Sequence, residues 1–311
     1  MSAIEVRGLS KSFGAQVALA PLDLAVERGA VCGLVGPNGS GKSTFMRLLI
    51  GLVPPSAGTA AIDGVALAGD GLAVRRRATF APGEIASYGE LTCDQQLAFL
   101  LRGRERTAIL RARAFAQRLG LPLGARMRTF SHGMKRQVAF CAALAPDVPV
   151  RLLDEPTAGL DPSKRGEVIA LLGEDAREGR CVLLSSHHFG EIARVCERIV
   201  CLSKGRVVAD EDTRALERRA RRLVTLEFEP ETPAAQLARV ANALGATARV
   251  AAPVDATARV AGARVSAELA GDDPLAALRA LPKDLPTPIS VAVGKHSLEE
   301  LYRDLYGVEG L

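Results

Sequence analysis

The segment GPNGSGKST, from Gly36 to Thr44, concentrates phosphate chemistry. It follows an apolar run that reads as a buried strand and precedes a helical pattern, the context in which the spacing GxxxxGK[ST] carries meaning. Its glycines let backbone N–H groups curl around phosphate oxygens, and the start of the next helix adds a favourable dipole. Gly36, Pro37, Asn38, Gly39, Ser40, Gly41 and Thr44 are thus expected to form the cradle. Lys42 then faces the β- and γ-phosphates of ATP, and the Ser43 hydroxyl ligates Mg²⁺. A second cluster closes the run VRLLDEP. Asp154 is placed to hold Mg²⁺ and Glu155 to polarise an attacking water as general base. Two acids after a strand are commonplace; following a phosphate loop in this chain order, they predict a nucleotide hydrolase. Arg151, in the same strand, must find a partner or reach water, and the sequence does not name that partner.

The elements that hold these residues follow from periodicity. IEVRGLS and VALAPLDLAVERGAVCGLVG alternate apolar and polar residues and then turn continuously apolar, which predicts edge strands leading into a buried one. STFMRLLIGLV has helical spacing, with Pro54 and Pro55 as its stop. From about Cys93 to Leu144, Ala, Arg, Leu and Gln dominate, predicting an inserted helical subdomain over about 90–145. VRLLDEP and RCVLLSSH flank a helical stretch from Lys164 to Glu178, as in a parallel α/β unit. IVCLSKGRVVAD predicts a closing hairpin around Lys204 and Gly205. Arg214 to Arg222 reads as a strongly basic helix, either a solvated linker or a contact for lipid headgroups or a partner. Beyond it the order strand, helix, strand, strand, helix, strand and a last helix, SLEELYRDLYG, permits a small ferredoxin-like α+β module. The predicted division is 1–213 and 214–311, the latter comprising the linker helix and a small regulatory or dimerisation domain.

With 311 residues, two domains are expected. No apolar run approaches the ~20 residues of a membrane-spanning helix, and the start MSAIEVRGLSKSFG lacks a signal pattern, so a cytoplasmic chain is expected. The six cysteines show no CxxC pair and no histidine at metal-ligand spacing, which predicts reduced core residues. The net charge of +5 by itself suits nucleic acid, anionic lipid or nucleotide equally.

Taken together, the chain from about Ile4 to Asp212 resembles the ATP-binding cassette (ABC) ATPases. FSHGMKRQ, Phe130 to Gln137, is similar to their signature segment, with Phe130, Ser131, His132, Gly133 and Met134 standing where the family consensus has LSGGQ. EPTAGLDP resembles the segment carrying the family's D-loop, with Ala158, Gly159, Leu160 and Asp161 aligned to it. His187 matches the switch histidine, and Phe13 stands where an aromatic commonly stacks on adenine. The resemblance implies a P-loop ABC domain that dimerises head to tail, each ATP held between one copy's phosphate loop and the other's Ser131, His132, Gly133 and Asp161. It implies His187 as a γ-phosphate sensor that orients Glu155 or the water. SLEELYRDLYG is similar to the closing helix of ATPases serving bacterial drug- and lipid-type exporters. The partners implied are a transmembrane permease and a second ATP-binding subunit, at the inner face of the cell membrane, with no nucleic acid.

One departure stands out: aligning Pro82 and Tyr88 to the family pattern puts Gly83 where a glutamine usually reaches Mg²⁺ or the attacking water. The adjacent Glu84 is the candidate replacement ligand. Other functions stay open: an ATPase of another ABC system, for import or metal-site maturation, and non-transport ATPases acting on ribosomes or DNA. Ribosome-acting members normally carry two cassettes, whereas one phosphate loop is present; chromosome-acting members split the cassette with a coiled coil, and no sustained heptads occur between Thr44 and Ser131.

Overall fold

Alternating and continuous burial separate two kinds of strand in the first part of the chain. The computed structural model describes residues 2–83, 86–187, 192–245, 249–251, 263–269 and 274–294. Strands β1 (Ser2–Phe13) and β2 (Gln16–Glu27) pair antiparallel, with buried and exposed residues alternating along much of each. β3 (Val31–Val35) is buried at every residue, as a strand covered on both faces must be. Helix α1 (Lys42–Leu49) follows; it ends at a turn with Gly51 at φ 69°, before Pro54 is reached, and so is shorter than the prolines alone suggest. β4 (Ala57–Ile62) pairs with β1, and β5 (Val65–Ala66) with β4. After α2 (Leu72–Arg75) and β6 (Ala78–Ala81) come the helices α3 (Cys93–Leu100), α4 (Arg106–Arg118) and α5 (His132–Leu144). Thr92 starts α3 with a reciprocal capping box to Gln95. β7 (Val150–Leu153), α6 (Pro162–Arg177), β8 (Cys181–Ser186), β9 (Arg198–Ser203) and β10 (Arg206–Asp212) complete this part.

Two sheets result. One has the order β2-β1-β4-β5, and the other β10-β9-β3-β8-β7-β6, in which β3 runs parallel to β8 and β9, and β7 parallel to β6 and β8. The sequence reading is corrected here: β1 and β2 do not border the β3 sheet but belong to a sheet of their own. A strand with one polar face is poorly suited to a layer covered on both sides. A single core nevertheless joins both sheets through α1, with Leu9, Leu19, Phe45, Met46, Leu48 and Val200 buried together. The hairpin around Lys204 and Gly205 forms as expected, both residues lying at positive φ between β9 and β10. All six cysteines are buried and free. Burial pushes the Cys93 thiol up to about 11 and Cys32 up to about 12, so neither is a thiolate near neutral pH.

Arg151 finds its partner in α6. Fully buried in β7, it donates from Nε to Asp175 Oδ2 at 2.9 Å and from Nη2 to the Leu144 carbonyl at 3.0 Å. Burial nonetheless holds its guanidinium below the ordinary arginine range, with Asp175 opposing the shift.

The chain divides into two compact units, Met1–Glu211 and Asp212–Glu309. In the second, Asp212 Oδ1 accepts from the Ala215 backbone N–H at 2.9 Å and caps the basic helix α7 (Thr213–Arg222). Then follow β11 (Leu223–Phe228), α8 (Ala234–Leu244), β12 (Arg249–Ala251), β13 (Ala263–Glu268), α9 (Pro274–Arg279) and β14 (Ser290–Val293). They form an antiparallel sheet of order β12-β13-β11-β14 with its own apolar core, including Phe228, Leu237, Val240 and Val265. The segment SLEELYRDLYG lies outside the described residues.

Candidate nucleotide site

The loop between β3 and α1 is shaped by what glycine alone permits. A Cβ on Gly36 would stand 2.1 Å from the Leu202 carbonyl oxygen, so no other residue fits there without moving β9. Helix α1 begins at Gly41 with no side-chain cap, unlike α3, α5 and α6, which Thr92, Ser131 and Asp161 cap. Its first N–H groups are therefore free to bind an anion. The Ser40 hydroxyl is buried without a hydrogen-bond partner, a polar atom awaiting a ligand.

Lys42 is buried and donates to the Gly36 carbonyl at 2.6 Å and the Pro37 carbonyl at 3.2 Å. Burial holds its ammonium below the ordinary lysine range, while Glu155 and Asp154 pull the other way. A Glu155 oxygen stands 3.9 Å from Nζ. The other, Oε2, meets His187 Nδ1 at 2.7 Å. Glu155 itself sits at φ 53°, a left-handed conformation rare for a residue with a side chain. Ser185 holds this bend: its hydroxyl donates to Asp154 Oδ1 at 2.6 Å and accepts from the Glu155 backbone N–H at 2.9 Å. The sequence reading missed Ser185; the polar pair Ser185-Ser186 at the end of the otherwise apolar β8 was the available signal.

The loop and Glu155 border one cavity of ≈ 380 Å³, lined by Phe13, Asn38, Gly39, Ser40, Gly41, Lys42, Ser43, Thr44 and Glu155, whereas Asp154, Ser185 and His187 do not line it. Phe13 is 53% exposed, its ring free to meet a flat ligand, with Lys11 Nζ 5.0 Å from the ring centroid. Ser131, His132, Gly133 and Asp161 do not line it. They gather elsewhere, at the starts of α5 and α6. Ser131 accepts from the Met134 backbone N–H at 3.2 Å and Asp161 from that of Lys164 at 3.0 Å. A Cβ on Gly133 would stand 2.7 Å from the Gly159 carbonyl oxygen, and Arg136 donates to the Ala158 carbonyl at 2.9 Å. The α5 N-terminus and the Ala158–Leu160 segment thus pack as one unit. Gly83 lies beside the acids: a Cβ there would stand 3.5 Å from Asp154 Oδ2. Glu84 falls outside the described residues. Among those described, no cluster of three or more His, Cys, Asp or Glu side chains forms a metal site without further ligands.

Comparison with known proteins decides the family. The ABC transporter profile matches residues 19–158. A daunorubicin/doxorubicin resistance ATP-binding protein of Streptomyces peucetius is 34% identical over 98% of this chain and 92% of its own length. The chain belongs to the ABC transporter ATPase family. A Nod factor export ATP-binding protein of Mesorhizobium japonicum is 33% identical over 69% of this ABC ATPase, which spans 64% of that protein's length. Among solved structures, an ATP-binding subunit of an ABC transporter matches with a TM-score of 0.64 and 31% identity, over 70% of this chain and 92% of that one. A dimeric bacterial ABC transporter cassette matches at 0.60 with 27% identity, over 68% and 98%. As a member, the chain is a nucleotide-binding ATPase, and the β3–α1 cavity is its candidate nucleotide site.

Proposed function

We propose that this ATPase hydrolyses ATP between two ATP-binding subunits and thereby powers a separate transmembrane exporter of hydrophobic or amphipathic compounds. The observation that carries the reading is the Glu155 carboxylate, held by His187 at 2.7 Å beside Lys42 at the mouth of the phosphate loop. Glu155 accepts a proton from the attacking water. His187 fixes the carboxylate and senses the γ-phosphate, and Lys42 with the loop N–H groups neutralises phosphate charge. Phe13 stacks on adenine. Ser43 and Asp154 hold Mg²⁺, which supplies further charge neutralisation on the phosphates.

The separation of Ser131, His132 and Gly133 from the cavity supports a two-chain site, in which the α5 N-terminus of one copy meets the phosphate bound by the other. Asp161 serves that site by shaping the segment packed on Gly133. The naming of the Streptomyces peucetius relative for drug resistance and of the Mesorhizobium japonicum relative for Nod factor export supports an exporter. No helix among the described residues is long and apolar enough to cross a membrane, so the reading assigns the membrane path to a permease that this subunit meets at its cytoplasmic face. The Asp212–Glu309 unit has the strand and helix order of a ferredoxin-like fold and is assigned to regulation or dimerisation.

Glu155→Gln tests the reading, since it keeps size and most hydrogen bonding but removes the base. Hydrolysis is expected to fall by roughly 10²-fold or more while ATP-bound dimers accumulate. A parental rate rejects Glu155 as the base. Copurification with ribosomes or DNA instead of a membrane protein rejects the transport role.

A further inference from the structure

The second unit contains a cavity for which the nucleotide chemistry has no use. It measures ≈ 370 Å³ and is lined by Leu226 and Phe228 of β11, Val240 of α8, Val291 of β14, and Leu278 and Leu285. That volume falls within the roughly 300–1,000 Å³ common for small-molecule sites. Pro282, Pro286 and Pro288 also line it, and their fixed φ angles limit how far this wall can relax, so the cavity is largely preformed.

Two cations join the apolar wall. Arg279 and Lys283 line the cavity, are exposed, and have no ion pair or hydrogen bond among the described residues. The nearby acid Asp284 is already paired with Arg239. An apolar wall alone suits a hydrocarbon and free cations alone suit a small anion; their conjunction suits a molecule carrying both. We propose that this cavity binds a single-chain amphipathic anion, with its alkyl chain against Leu275, Leu278 and Val291 and its carboxylate at Arg279 and Lys283. A medium-chain fatty carboxylate is the simplest such ligand.

The test is calorimetric titration of the full-length protein with octanoate, decanoate and dodecanoate below their micelle-forming concentrations, against decanol as the uncharged match. One saturable site is expected, with affinity rising about fourfold per added methylene while the chain fits. Decanoate should bind about tenfold or more tightly than decanol. Arg279→Gln with Lys283→Gln should erase that preference and leave decanol binding unchanged. Leu275, 53% exposed on the same cavity, provides a second variant: Leu275→Asp should weaken decanoate about tenfold with an unchanged circular dichroism spectrum. Absence of saturable binding, or equal affinity for decanoate and decanol in the parent, overturns the proposal. Sedimentation with phosphatidylglycerol vesicles through the same two cations, without monomer binding, assigns them to a bilayer surface and overturns it too.

Discussion

Lys42 shows how much one side chain can do in the phosphate loop. Its ammonium is buried, bonded to two loop carbonyls and near the Glu155 carboxylate, so Lys42→Ala removes both a cation for the phosphates and a brace for the loop. ATP affinity is expected to drop about 10- to 100-fold, equivalent to the ~1.5–3 kcal/mol of a charge-assisted hydrogen bond. Titration with a fluorescent ATP analogue measures it, and unchanged affinity rejects the contact. The loop was legible in sequence because its residues are contiguous and their spacing implies the curl of the backbone. Ser185 was not, because it reaches Asp154 and Glu155 from a strand thirty residues away and only β7–β8 pairing brings it there.

Between elements, the pairing of β7 with α6 through Arg151 and Asp175 predicts an unequal pair of mutants. Asp175→Leu leaves Arg151 buried without its carboxylate and is expected to destabilise by roughly 3–5 kcal/mol. Arg151→Leu should be milder, because Arg180 still holds Asp175 at 3.0 Å. Urea unfolding midpoints decide it; equal losses reject the buried-charge account. A second prediction concerns the loop after β6. The Asp154 N–H donates to the Ala81 carbonyl at 2.8 Å, so the loop leaves β6 beside the acid, and a side chain at position 83 starts next to the Asp154 carboxylate. Gly83→Gln is therefore expected to lower the Mg²⁺ concentration for half-maximal hydrolysis, and Glu84→Ala is expected to shift it on the proposal that this carboxylate tunes metal use, an unchanged requirement rejecting that role. Superimposable Mg²⁺ titrations of parent and Gly83→Gln reject the positional argument.

For the whole molecule, all residues lining the nucleotide cavity belong to the Met1–Glu211 unit, while Asp212–Glu309 carries a separate apolar core. A protein truncated after Asp212 is expected to fold and to retain ATP affinity within about threefold, since each unit buries its own core. Loss of nucleotide binding in a truncated protein with a native circular dichroism spectrum rejects that division. By itself the sequence determined the chemistry that is local along the chain: the phosphate loop, the acids ending β7, the hairpin at Lys204-Gly205 and the helical character of 93–144. These rest on spacing, periodicity and turn preference, which act between neighbours. Only the tertiary structure decided that β1 and β2 leave the β3 sheet, that Arg151 answers Asp175, and that Ser185 holds both acids. Each of these depends on which distant strands pair and which faces become buried, and many pairings satisfy the same local pattern until the packed core selects one.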